Sequence, residues 1–172
     1  MILGDSGGLE NKVGYELLNS GLDKYVEDKS ELSKFRSNRI KEIKTLEKLT
    51  NLEILNLDSN KITEIKGLQT LKNLRRLFLR NNRIAEIKGL EKLNNLEVLD
   101  LSYNWIKVVE GLENKKNLVQ LNLAFNEIDD IGYIGDDVPK LKELKLYGNP
   151  GYWRINRPMG GEDFTGVLWK RP

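Results

Sequence analysis

Residues 46–67 spell LEKLTNLEILNLDSNKITEIKG, residues 68–89 LQTLKNLRRLFLRNNRIAEIKG and residues 90–111 LEKLNNLEVLDLSYNWIKVVEG, and a further run, LENKKNLVQLNLAFNEIDDI, begins at Leu112. The period is 22 residues. A fifth copy, VPKLKELKLYGNP, follows one residue late, and a degenerate half copy, LSKFRSNRIKEIKT, precedes the array at Leu32. A single unit of this size cannot bury its own apolar face, whereas five or six stacked units bury a continuous core. Within each unit the L-x-L segment (Leu55/Leu57, Leu77/Leu79, Leu99/Leu101) alternates in and out, as a short strand does. Asn60, Asn82, Asn104, Asn126 and Asn149 recur where the strand ends and the chain turns inward. There an amide supplies both a donor and an acceptor to backbone groups that would otherwise be buried unpaired. The pairs Ile62/Ile65, Ile84/Ile87, Ile106/Val109 and Ile128/Ile131 then fill the core from the outer wall, and Gly67, Gly89 and Gly111 mark each tight return.

These positions follow the pattern L-x-x-L-x-L-x-x-N-x-I-x-x-I-x-x-L, and on them the chain resembles the leucine-rich repeat proteins from about Leu46 to Pro150. It is most similar to the 22-residue class found in the regulatory subunit of type-1 protein phosphatase and in a dynein light chain. The fold expected is an α/β solenoid: a curved coil with a parallel sheet on the concave face, short helical or extended turns on the convex face, and an N-terminal helical cap. Three regions are expected: a leader and helical cap over 1–31, one degenerate and five recognisable repeats over 32–150, and a flap or tail over 151–172. The cap rests on Leu9, Val13, Leu17, Leu22 and Val26 at near-helical spacing. The last segment breaks the period and carries Trp153, Phe164 and Trp169. Two irregularities stand inside the array. Lys115 occupies the place of Leu49, Leu71 and Leu93, which predicts a thinner convex wall, and one extra residue within Gly132 to Asp137 predicts a bulging outer loop.

Composition excludes several kinds of chemistry. The chain has 172 residues, no cysteine and no histidine, which leaves neither a disulfide framework nor the usual ligands of zinc or a transition metal. No metal and no cofactor is expected. The run GDSGG, Gly4 to Gly8, is similar to the nucleophile segment of chymotrypsin-like proteases, but there is no histidine to act as general base for Ser6. Asp58 and Asp100 lie two strands apart, about 10 Å, without a motif for phosphate or dinucleotide binding beside them. A non-enzymatic protein is expected. With 28 basic against 26 acidic residues the chain lacks the broad positive field that nucleic acid or an anionic membrane surface selects, so neither is an expected partner. The start lacks a basic segment leading into a long apolar run, and no stretch reaches membrane-spanning length; a cytoplasmic or otherwise intracellular monomer is the expectation.

Function must then lie on the surface that the repeat leaves free. The residues flanking the core leucines form columns on the concave face, and the aromatic and arginine side chains gather toward the middle and C-terminal strands. Phe78, Tyr103, Phe125 and Tyr147 are the expected anchors of a protein partner, with Arg76, Arg80, Asp100, Asn122 and Lys145 around them. Trp105 adds an indole at a turn position. Aromatic side chains and arginine bury much area per ordered rotamer and dominate interface energetics, whereas one or two exposed rings on a sheet need no explanation beyond strand propensity. The resemblance implies an interaction scaffold that docks a protein in its concave groove, with a regulatory-subunit role as its extension. A secreted or surface adhesion module of the internalin type, also built on 22-residue repeats, is the alternative; its outer turns usually carry Asp-Ile and Pro-Leu where this chain has EIKGL, EIKGL and VVEGL.

Overall fold

The computed structural model describes residues 31–32, 39–44, 46–130, 132 and 134–152. Among them six short strands, β1 (Glu31–Leu32), β2 (Ile54–Asn56), β3 (Arg76–Phe78), β4 (Val98–Asp100), β5 (Gln120–Asn122) and β6 (Glu143–Lys145), form one parallel sheet in sequence order. Leu32, Leu55, Leu77, Leu99, Leu121 and Leu144 lie side by side across it. The half copy is therefore a full member of the sheet. Ile40 and Ile43 from the same unit are buried, and the Lys61 N–H donates to the Ile40 carbonyl at 2.8 Å. The expected helical cap, the GDSGG run with Ser6 and the segment from Trp153 to the end lie outside the described residues.

The convex returns are not helical. From 39 to 150 the described residues contain no helix. In each unit the L-x-x-L-x-x-L segment closes successive i to i−3 turns, such as Leu71 N–H to the Leu68 carbonyl and Leu74 N–H to the Leu71 carbonyl, both 3.0 Å. Side chains three apart in such turns eclipse one another, so all three leucines face inward, and a segment of seven residues is too short to nucleate an α-helix. The described coil is thus a parallel β-solenoid, and the helical option for its outer wall is corrected to tight turns and extended chain. Beneath the sheet a second ladder joins the units: the Arg83 N–H donates to Ile62, Trp105 to Ile84, Glu127 to Ile106 and Gly151 to Ile128, at 2.8–2.9 Å. At the return a side chain is impossible: a Cβ on Gly89 would lie 1.8 Å from the Ile65 carbonyl oxygen, and its φ is +79°.

One sequence expectation changes here. Lys115 leaves no gap in the wall, because its four-carbon stem fills the leucine position and the residue is only 1% exposed. Its Nζ donates to the Glu113 carbonyl at 3.2 Å, and burial pushes its pKa below the ordinary lysine value against the opposing pull of Glu91 and Glu113. In the described part of the stretch that holds the extra residue, Asp137 and Val138 donate to the Ile134 carbonyl at 3.1 and 3.2 Å, and Ile134 and Val138 stay buried. The array absorbs the insertion at its outer wall and keeps β5 and β6 in register.

Candidate functional site

Strands β2 to β6 end in the same backbone device. Ser59, Asn81, Tyr103 and Phe125 have φ between 54° and 57°, and Gly148 has φ 76°, in the left-handed region that turns the chain toward the buried asparagine. Glycine and asparagine suit that conformation, whereas other side chains, bulky ones above all, resist it by about 1–2 kcal/mol. Two of the expected anchors therefore occupy positions where their own backbone geometry disfavours them.

The rings form a cluster. Tyr103 stacks on Phe125 with centroids 4.3 Å apart and planes at 23°, and Phe125 meets Tyr147 edge to face at 5.2 Å and 90°. Such contacts are worth about 0.5–1.5 kcal/mol each beyond the area they bury. Gly148 makes the second contact possible, since a Cβ there would come within 2.4 Å of the Phe125 ring. The Arg80 guanidinium lies 4.9 Å from the Tyr103 centroid and that of Arg83 6.0 Å from Trp105. All four rings are nonetheless open to solvent, Trp105 being 50%, Tyr147 43%, Tyr103 41% and Phe125 40% exposed.

The other expected site residues separate from this cluster. Phe78 sits in the centre of the sheet, half-buried between Asn56 and Asp100, and Arg76 stands exposed between Ile54 and Val98. Asp100 serves the backbone: its Oδ1 accepts from the Ser102 N–H at 2.9 Å and hydroxyl at 2.6 Å, and its Oδ2 accepts from Asn122 Nδ2 at 3.1 Å. Asn122 in turn accepts from the Ala124 N–H at 3.1 Å. Asp58 caps the Arg80 N–H at 2.8 Å. Asp58 and Asp100 are thus both engaged by backbone N–H groups at the strand ends. Lys145 pairs with Glu143 at 2.8 Å, and that hydrogen bond raises the lysine pKa. Ser102 and Ala124, at the strand ends, are buried, because a hydroxymethyl and a methyl group are too short to emerge beside the rings that follow them in sequence.

The five repeated asparagines form an internal ladder. Asn104 Nδ2 donates to the Leu79 and Leu101 carbonyls and its Oδ1 accepts from the Ile84 N–H, all at 3.0 Å, and Asn82 and Asn126 repeat that geometry. Asn149 does the same with Leu123, Leu146 and Ile128, and Asn60 accepts from the Ile40 N–H at 3.0 Å. A second asparagine column escaped the sequence reading. Asn73, Asn95 and Asn117 donate to the carbonyls of Thr50, Lys72 and Asn94 at 2.9–3.0 Å, and Lys140, in the corresponding place, donates to Asn117 Oδ1 at 2.9 Å. The signal was the repeated N-L that opens each strand segment. Beside this column Arg75 reaches across to Glu97 at 2.7 Å, an exposed pair whose hydrogen bond raises the arginine pKa.

Among the described residues no group of acidic side chains could hold a metal ion, and no helix is long and apolar enough to cross a membrane. The sequence matches the family described as Leucine Rich repeats (2 copies) over residues 34–70 and 72–114, and the related Leucine Rich repeat description over 114–134. A search of curated proteins finds no match. Among solved structures, an internalin (inlF) from Listeria monocytogenes is similar at 27% identity and a TM-score of 0.65, covering 84% of this chain and 44% of its own. The functional domain of InlJ from Listeria monocytogenes has the same fold at 23% identity and a TM-score of 0.60, over 70% of this chain and 25% of its own. A TLR13–ssRNA13 complex is similar at 30% identity and a TM-score of 0.58, over 66% of this chain and 18% of its own. This chain spans less than half the length of each of these structures. With a leucine core repeated every 22 residues, a parallel sheet in sequence order and family matches running from 34 to 134, the chain belongs to the leucine-rich repeat proteins.

Proposed function

We propose that this chain is a non-enzymatic protein-interaction scaffold of the phosphatase-regulator type, an intracellular monomer that docks a protein partner on its concave face. The observation that carries the reading is the exposed ring cluster of Tyr103, Phe125 and Tyr147, two members of which stand at left-handed positions that serine, asparagine and glycine fill in the other repeats. Nothing in the repeat requires rings there, and the backbone disfavours them; a contact with a partner supplies the compensating free energy. Arg80 and Trp105 extend the anchor, and Arg76, Phe78, Asp100, Asn122 and Lys145 form its polar and half-buried surround. In the test, the protein that co-purifies with the full chain is titrated with wild type and with Tyr103→Ala/Phe125→Ala. Loss of several kcal/mol of binding is expected, since such truncations commonly cost about 2 kcal/mol or more each. Unchanged affinity in a folded variant refutes the reading.

The internalin likeness supports a second reading, a secreted or surface adhesion module using the same face. Locating a tagged full-length protein in its own cell separates the two: a cytoplasmic signal favours the first, and a surface or medium signal the second.

A further inference from the structure

At the edge of the concave face, where the strands turn toward the asparagine ladder, lies a shallow basin lined by Lys61, Asn81, Arg83, Tyr103, Trp105 and Phe125. Arg80 adjoins it through its contact with Tyr103. None of these seven side chains is acidic. Among the described residues Lys61, Arg80 and Arg83 are in no ion pair, whereas Lys44, Lys66, Lys88 and Lys107, along other edges of the coil, each lie within 4 Å of a carboxylate. The nearest acid in the column of Lys61, Arg83 and Trp105 is Glu127, which pairs with Lys107 at 3.6 Å. Both guanidinium groups lie over rings, which holds their planes and leaves the fork of N–H donors to meet a carboxylate.

Resting on the proposed concave-face function, we infer that the partner presents an acidic peptide segment to this basin. Its carboxylate would meet Arg83, with Lys61 one repeat beyond, and an aromatic or aliphatic side chain would lie in the cleft of Tyr103, Trp105 and Phe125. Spacing makes the inference specific. Neighbouring repeats lie about 4.8 Å apart along the sheet, so the cleft between Tyr103 and Phe125 is about 7 Å from the Arg83 repeat. An extended peptide rises about 3.3 Å per residue, so residues two apart cover that distance on one face. The segment therefore carries Asp or Glu two positions from a large apolar residue. A nucleic acid fits less well: its phosphates would continue from the basin onto a sheet that carries Asp100 and Glu143, and the whole chain has a net charge of only +2.

The test pans a phage-displayed random peptide library against the full chain and measures the enriched peptides by fluorescence anisotropy. Enrichment of Asp or Glu two positions from an aromatic or aliphatic residue is expected. Arg83→Glu should weaken those peptides about tenfold or more, and peptides with the acid changed to Lys should recover affinity for that variant. The rescue requires a folded protein, so it separates lost charge from lost structure. Peptides without an acid, indifference to Arg83→Glu and Lys61→Glu, failure to enrich any peptide, or tighter binding of a single-stranded oligonucleotide would each overturn the inference. Peptides that lose affinity in Tyr103→Ala/Phe125→Ala but not in Arg83→Glu leave the ring cluster as the docking face and remove only its acidic ligand; peptides indifferent to both remove both.

Discussion

Replacing Lys115 by leucine should make this protein more stable, although lysine is the residue it has. The position is the leucine slot of the fourth repeat: Leu49, Leu71 and Leu93 fill it elsewhere at no more than 3% exposure, and Lys115 is 1% exposed. The slot thus accepts leucine without overpacking. What the substitution removes is an ammonium group that is largely withdrawn from water and compensated by one hydrogen bond, to the Glu113 carbonyl at 3.2 Å. Exchanging buried charge for packed hydrocarbon is commonly stabilising by about 1–4 kcal/mol. Because Glu91 and Glu113 still favour the charged form, the lower half of that range, about 1–2 kcal/mol, is expected. For a chain of this length that raises the melting temperature by about 2–8 °C. The pH dependence carries the sign. Burial lowers the folded pKa of Lys115 below its unfolded value near 10.4, so between the two the unfolded chain binds the extra proton and wild-type stability rises with pH. The advantage of Lys115→Leu is therefore largest below the folded pKa and shrinks as pH climbs toward about 10.4. Urea unfolding followed by circular dichroism at several pH values measures both effects, with the exposed Lys116→Leu as a control. A less stable Lys115→Leu, or a gap that does not change with pH, would refute the reasoning.

Asn104→Ala removes four backbone partners at once and should cost about 3 kcal/mol or more in the same unfolding assay, whereas Asn73→Ala, on the exposed column where water can replace the amide, should cost about 1 kcal/mol or less; equal losses would mean that the inner ladder is no more protected than the outer. Gly148→Ala should destabilise by about 1–2 kcal/mol and force the Phe125 ring off Tyr147, visible as changed aromatic chemical shifts, because the new Cβ meets that ring at 2.4 Å; Gly132→Ala, with nothing within 4 Å, should cost only the backbone term and leave the rings in place.

The fold was legible because the repeat states its geometry many times over. Leucine spacing predicted the strands, their order and their shared core, and the repeated asparagine predicted an amide ladder whose partners the structure names. What periodicity could not show was how side chains end. Lys115 reads as a missing leucine until its stem is seen lying in the leucine's place, and the helical option for the convex wall falls only when each L-x-x-L closes its own turn. The candidate site was legible as a composition, not as a grouping. Phe78, Tyr103, Phe125 and Tyr147 all flank core leucines, yet only the last three meet, because Tyr103 and Phe125 stand at left-handed turns and Gly148 admits a ring where any side chain would block it. Asp100 and Asn122 look like free contact residues in the sequence; short polar side chains at a strand end bond to the backbone two residues on.

The asparagine ladder also governs how such a protein can change its length. Each amide bonds to carbonyls in its own coil and the one before it, so every joint between the middle coils is chemically the same joint. An in-frame block of 22 residues can be gained or lost between any two of them without stranding a buried donor or acceptor. Such an event leaves the scaffold intact while moving Arg80 and Arg83 one repeat nearer to, or farther from, Phe125 and Tyr147. Duplication and deletion thus reset the distance between charge and ring in steps of one coil while the core is inherited unchanged.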